Sequence, residues 1–144
     1  MNVNFVDIAQ QNLALKEKLL GAASRVIEHG QLINGPEVEQ LEEKIADYLG
    51  VKKVVGVANG TAALYLSLRA LGIGTGDEVI TVANSYLATV SSIVLTGATP
   101  ILADVDETMN IDPLKIEKLI TPSTKAILPV HLTGKPAAMD EILE

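Results

Sequence analysis

An α/β fold, with a mainly parallel sheet covered by helices on both faces, follows from three features of the sequence. Short apolar, β-branched runs at Val79–Val82, Pro100–Ala103 and Ala126–Val130 lack the strict polar alternation of a half-exposed strand. Amphipathic stretches at Tyr86–Leu95 and Pro113–Ile120 separate them, which is the alternation that builds parallel pairs. The third feature is Val54-Val55-Gly56-Val57-Ala58-Asn59-Gly60-Thr61-Ala62-Ala63-Leu64, which reads as a buried strand, a tight turn and a helix start.

Composition sets the frame for these elements. At 144 residues, with 48% hydrophobic and 20% charged side chains, the chain is long enough for a genuine core and is not a disordered tail. Eleven basic against eighteen acidic residues give a net charge of -7, with the basic residues scattered. Nucleic acid and anionic membranes are poor partners for such a surface. Without cysteine there is neither a disulfide framework nor a thiolate zinc site, and His29 and His131 lack metal-ligand spacing. Met1–Asp7 has no basic and apolar leader pattern, and no apolar run reaches membrane-spanning length, so the expected location is cytoplasmic.

In chain order, a short extended lead-in at Asn4–Asp7 precedes an amphipathic helix at Ala9–His29. Its apolar stripe is Leu15, Leu19, Ala22 and Val26, and Gly30 closes it. Turn formers fill 30–35, and Pro36 suits the first position of a second helix, Pro36–Leu49. That helix is expected to bury Val38, Leu41, Ile45 and Tyr48, to turn Glu37, Glu39, Glu43 and Asp47 to water, and to stop at Gly50. The strand near Val55 then leads into a helix whose apolar face is Leu64, Leu68 and Leu71. The glycines of Gly72-Ile73-Gly74-Thr75-Gly76-Asp77 follow a helix and precede a strand, the reverse of a dinucleotide-binding loop, and are read as an αβ turn. Ala138–Glu144 reads as a helix just beginning. The expected organisation is one partial domain over 1–144, with N-terminal helices at 9–49 and an α/β part at 53–144.

Ligands of open α/β sheets gather beyond the carboxyl ends of the strands. The residues expected there are Asn59-Gly60-Thr61, Asn84-Ser85-Tyr86, Asp104-Val105-Asp106 and His131. A helix N-terminus at Gly60 carries unpaired N–H groups and partial positive charge, and suits a phosphate. Each residue also has a plain reading: Asn59 and Asn84 or Ser85 as caps, Tyr86 as packing, the acids as turn residues and His131 as a hydrogen-bonded side chain.

In order and spacing, several stretches resemble the DegT/StrS family of pyridoxal-phosphate sugar aminotransferases. They are Gly35-Pro36-Glu37-Val38-Glu39-Gln40-Leu41-Glu42, Asn59-Gly60-Thr61-Ala62-Ala63-Leu64, Gly76-Asp77-Glu78-Val79-Ile80-Thr81, Gly97-Ala98-Thr99-Pro100, Asp104-Val105-Asp106, Asn110-Ile111-Asp112-Pro113 and Thr124-Lys125-Ala126-Ile127-Leu128-Pro129-Val130-His131-Leu132. The resemblance implies the N-terminal part of an aspartate-aminotransferase-like large domain. It implies that Gly60 and Thr61 hold the phosphate of pyridoxal 5'-phosphate and that Tyr86 stacks on its ring; Asn59, Asn84 and His131, placed past the strand ends, are candidate lining residues of the same site. It further implies amino transfer from a donor such as glutamate to a nucleotide-linked keto-sugar, in a homodimer.

By the same resemblance, the Schiff-base lysine and the acid that pairs the pyridine nitrogen lie downstream of the His131 motif, beyond this sequence. No catalytic residue is therefore assigned within it, and the fragment alone is expected to be inactive. The strand near Val55 would lack its usual partners and keep an unpaired edge, so the isolated chain is expected to be marginal, to self-associate or to rearrange that strand. Two other readings remain: a dehydratase or regulatory member of the family, and a non-catalytic α/β module binding a nucleotide or other phosphate ligand at Gly60.

Overall fold

The computed structural model describes residues 4–144; the first three residues, part of the leader-free reading of the N-terminus, lie outside the described residues. The chain divides into two compact units, one ending at Gly56 and the other running from Val57 to Glu144.

The first unit holds two helices, α1 (Ile8–His29) and α2 (Pro36–Leu49). Asp7 caps α1 by accepting from the Gln10 N–H at 2.9 Å, and Gly30 and Gly50 close the two helices in the left-handed conformation. Between them, the Nε2 of His29 meets Glu37 Oε2 at 3.0 Å. Glu37 is thus half-buried and bonded, not simply solvated as expected, whereas Glu39, Glu43 and Asp47 are exposed.

The expected burial in this unit is corrected. Among the described residues of α1 none is buried, and Leu15 and Leu19 of its stripe are exposed. In α2 the buried residue is Ala46; Ile45 is half-buried, while Val38, Leu41 and Tyr48 are exposed. Periodicity shows which face a helix offers for burial, but the cover must come from another element.

The strand expected at 54–58 is also absent: Val55 is 75% exposed and no ladder includes this segment among the described residues. A strand exists only with a hydrogen-bonding neighbour.

The second unit opens with α3 (Gly60–Ala70) and contains β1 (Glu78–Val82), α4 (Leu87–Thr96), β2 (Thr99–Ala103), α5 (Pro113–Ile116), β3 (Thr124–Ile127) and α6 (Met139–Leu143). A 3₁₀ turn, Glu117–Leu119, finishes the segment expected to be helical to Ile120. The sheet order is β2-β1-β3, with both pairings parallel. Val79 pairs with Pro100 and with Ala126; Pro100 is the second residue of β2, an edge strand of this sheet, where its missing N–H is tolerated.

Alternation along β1 sends successive side chains to opposite faces. Val79 packs in one buried cluster with Leu68, Ile73, Ile93 and Ala98. Ile80 and Val82 pack in another with Ala103, Ile111, Ile116 and Ala137, against which Met139 and Ile142 lean. Both faces of the central strand are covered, as the sequence implied. On α3, Leu64 is half-buried and Leu68 buried, but Leu71 caps the helix and is exposed, contrary to expectation. The glycine-rich 72–77 segment is the expected turn, closed by Asp77 N–H donating to the Gly74 carbonyl at 3.1 Å. Gly97, at φ +89, is required where it stands: a Cβ there would lie 2.6 Å from Thr75 Oγ1.

Candidate functional site

The N-terminus of α3 is built by Asn59. Its backbone is extended, its Oδ1 accepts from the Ala62 N–H at 2.9 Å, and its carbonyl accepts from Ala63. The capping reading of Asn59 therefore holds. Neither the Gly60 nor the Thr61 N–H has an acceptor among the described residues, so both remain available at the positive end of the helix. A Cβ on Gly60 would meet nothing within 4 Å, which shows open space beside these donors.

That space is part of a cavity of 570 Å³ lined by Gly60, Thr61, Ala63, Leu64, Ser67, Tyr86, Ala88 and Thr89. Its size is that of a small-molecule pocket. Packing of α3 against α4 creates it: Tyr86 immediately precedes α4 and makes no side-chain capping bond, and its side chain is 80% exposed. Two backbone donors, three hydroxyl-bearing side chains and a flat aromatic ring thus share one wall. The arrangement can bind a phosphate at one end and a planar ring at the other.

The structure brings Gly60, Thr61 and Tyr86 together, but Asn59, Asn84 and His131 do not line this cavity. Asn84, two residues past β1, donates through Nδ2 to the Met109 carbonyl at 2.9 Å. Its Oδ1 is buried and has no partner among the described residues. His131 lies beyond β3 and accepts at Nδ1 from the Ala137 N–H at 2.9 Å. Asp104 is exposed, and its carbonyl accepts from Asp112 N–H. Asp106 accepts from the Thr108 hydroxyl at 2.6 Å and the Thr108 N–H at 2.7 Å. These bonds, the Thr108 hydroxyl foremost, with the Asn110 backbone and the charge of Lys135, hold its carboxyl below the usual range.

Sequence reasoning missed Ser67 and Thr89 in the cavity wall. Helical spacing was the available signal, since Thr89 follows Tyr86 by one turn and Ser67 follows Ala63 by four residues. It also missed Asn110, which is 1% exposed and has every amide atom bonded.

No helix among the described residues is long and apolar enough to cross a membrane. The chain is 46% identical over 141 residues to the UDP-2-acetamido-2-deoxy-3-oxo-D-glucuronate aminotransferase of Pseudomonas aeruginosa, covering 97% of this chain and 39% of that protein. It superposes on the crystal structure of S. venezuelae DesV in complex with a ketimine intermediate with a TM-score of 0.94 and 43% identity, over 98% of this chain and 38% of the other. The Bacillus subtilis NtdA structure, with bound cofactor PMP, gives a TM-score of 0.93 and 40% identity, over 98% and 33%. The chain thus spans about two-fifths of the length of these relatives. With the family model matching residues 13–144, this chain belongs to the DegT/DnrJ/EryC1/StrS aminotransferase family.

Proposed function

We propose that this chain is the N-terminal, cofactor-phosphate part of a pyridoxal-phosphate-dependent aminotransferase that acts on a nucleotide-linked keto-sugar in amino-sugar biosynthesis. The observation that carries this reading is the cavity lined together by Gly60 and Thr61, whose N–H groups have no acceptor among the described residues, and by Tyr86. The relatives' activities and the bound cofactor of NtdA support it.

The residues present fit such a group: the cavity joins anion donors to an exposed aromatic face, and no side chain at Gly60 blocks the approach. Gly60 and Thr61 would hold its phosphate, the Thr61 hydroxyl adding a third donor, and Tyr86 would lie against the ring. Asn84 and His131 would border the site from the ends of β1 and β3. When bound, the cofactor supplies an electron sink for amino-group transfer. The contribution of this chain is to bind and orient it. The proton-moving lysine of the family belongs to sequence downstream of the His131 motif, and the 144-residue chain alone is proposed to be inactive.

The same reading takes residues 1–144 as one partial domain of a cytoplasmic homodimer. The apolar surface of the helices supports the dimer: Leu15, Leu19, Leu41 and Tyr48 are exposed in this chain and call for cover.

The test is cofactor retention by the purified chain, measured by absorbance after gel filtration. Retention of pyridoxal 5'-phosphate that weakens about tenfold in Tyr86→Ala, the size of an aromatic stacking contact, supports the proposal. Retention of a nucleotide, with indifference to pyridoxal phosphate, would replace it with the phosphate-binding-module reading.

A further inference from the structure

Both histidines carry the same constraint on one ring nitrogen. His29 Nδ1 accepts from the Gln31 N–H at 3.1 Å, and His131 Nδ1 accepts from the Ala137 N–H at 2.9 Å. A backbone N–H can only donate, so in the neutral ring the proton must sit on Nε2. At His29 the result is visible, since Nε2 reaches the Glu37 carboxylate at 3.0 Å. At His131 no acceptor faces Nε2 among the described residues, and the side chain is exposed beyond the carboxyl end of β3.

What differs is how the constraint is held. Gln31 follows His29 by two residues, whereas Ala137 must be brought back to His131 across six, through an exposed segment containing Gly134. Asn110 does this. Its Oδ1 accepts from the Leu132 N–H at 3.3 Å, and its Nδ2 donates to the carbonyls of Lys135 at 3.1 Å and Pro136 at 3.3 Å. The amide therefore grips both limbs of the 131–137 loop. Its orientation is fixed, because turning it over would set an NH₂ against the Leu132 N–H.

Asn110 is itself anchored from the other strands. Its Nδ2 also meets Thr108 Oγ1 at 3.2 Å, and its carbonyl accepts from Asp106 N–H at 2.9 Å. The preceding residue, Met109, sits at φ 65, a left-handed conformation unusual for its side chain, and offers its carbonyl to Asn84 past the end of β1. Loops leaving all three strands thus meet at Met109 and Asn110.

We propose that Asn110 is a positioning residue: by fixing the 131–137 loop it holds His131 in the Nε2–H form, as a directed donor to an anionic or carbonyl oxygen of the bound ligand. The naming of a ligand rests on the function proposed above; the positioning does not. It requires no ligand to be measured, so failure of cofactor binding and failure of this inference are separate results.

The experiment is a long-range ¹H–¹⁵N correlation spectrum of the labelled chain carrying His29→Gln, which leaves His131 as the sole imidazole, recorded with the ring neutral. The expected result is one tautomer, with widely separated Nδ1 and Nε2 resonances. In Asn110→Asp, which keeps the volume and the acceptor for Leu132 but loses both donors to the loop, the two resonances should move toward each other. In Thr108→Val, which removes one anchor and leaves the loop bonds in place, they should stay apart. An unmodified chain already averaging its tautomers, or an Asn110→Asp chain that keeps them apart, would overturn the proposal. Should Asn110→Asp fail to fold, amide exchange of Ala137 in the unmodified chain decides: slow exchange supports the clamp, and exchange at the rate of the exposed loop amides refutes it.

Discussion

The two units of this chain are made with equally clear local signals and reach very different burial. In the first unit α1 and α2 have well-formed caps, yet Ala46 is the buried apolar side chain of the pair. In the second unit, β1 alone contributes Val79, Ile80 and Val82 to two buried clusters, one on each face of the sheet. Caps and periodicity therefore suffice to set where a helix begins and ends, while burial depends on whether a covering element lies in the same chain.

Core truncation breaks the comparison most severely. Ile80→Ala, at a site with no exposure, should cost about 2–5 kcal/mol in urea denaturation, and Leu19→Ala in α1 should change the stability of a single, uncovered copy by less than about 0.5 kcal/mol. If the Leu19 substitution proves as damaging as the Ile80 one, the α1 stripe is covered in solution, as the proposed dimer requires. Repeating both measurements over a range of chain concentrations separates cover by a second copy from cover within one chain.

A smaller effect is expected where the units are alike, at a helix start. Asn59 uses its side chain as a cap for α3, so Asn59→Ala should lower stability by about 1 kcal/mol. Asn59→Asp keeps the acceptor and should retain the stability, while placing a negative charge beside the Gly60 and Thr61 N–H groups. If these donors hold a phosphate, Asn59→Asp weakens cofactor retention with no loss of fold, measured by absorbance alongside the denaturation curve.

What could be read in advance divides along the same line. The bounds of α2 were legible because Gly35-Pro36 and Gly50 punctuate it locally, and the parallel sheet because β-branched runs alternate with helices. Gly60 and Thr61 could be placed because they open α3, and Tyr86 because it follows β1 and precedes α4. The segment 54–58 could not be read correctly: its apolar residues have strand composition, but pairing is a non-local property. Asn110 was illegible for a related reason. Its partners Lys135 and Pro136 lie 25 and 26 residues away, and nothing in the local motif Asn110-Ile111-Asp112-Pro113 says that the amide is buried against them.

The smallest expected effect lies at the turn between α1 and α2. The Glu37 carboxyl is held below its ordinary value, first by its own backbone N–H and then by the His29 side chain and the nearby charges of His29 and Arg25. A carboxylate with a depressed value stabilises the folded form above the ordinary carboxylate range. That contribution is lost as pH falls through the lowered value. The His29–Glu37 contact should therefore persist below pH 4.5, where an unperturbed Glu is half protonated, and open only on further acidification. Carboxyl ¹³C shifts should show Glu37 titrating below the ordinary glutamate value of 4.5, with the Gln31 amide moving in step. Because the contact is local to this turn, Glu37→Gln should shift the Gln31 signal while leaving the second unit untouched. A Glu37 titration at the ordinary glutamate value would mean that the turn is held by Gly35 and Pro36 alone. Gly35 is already suited to that part: a Cβ there would lie 2.6 Å from the Gln31 carbonyl oxygen, so the backbone is tightly folded before any side chain contributes.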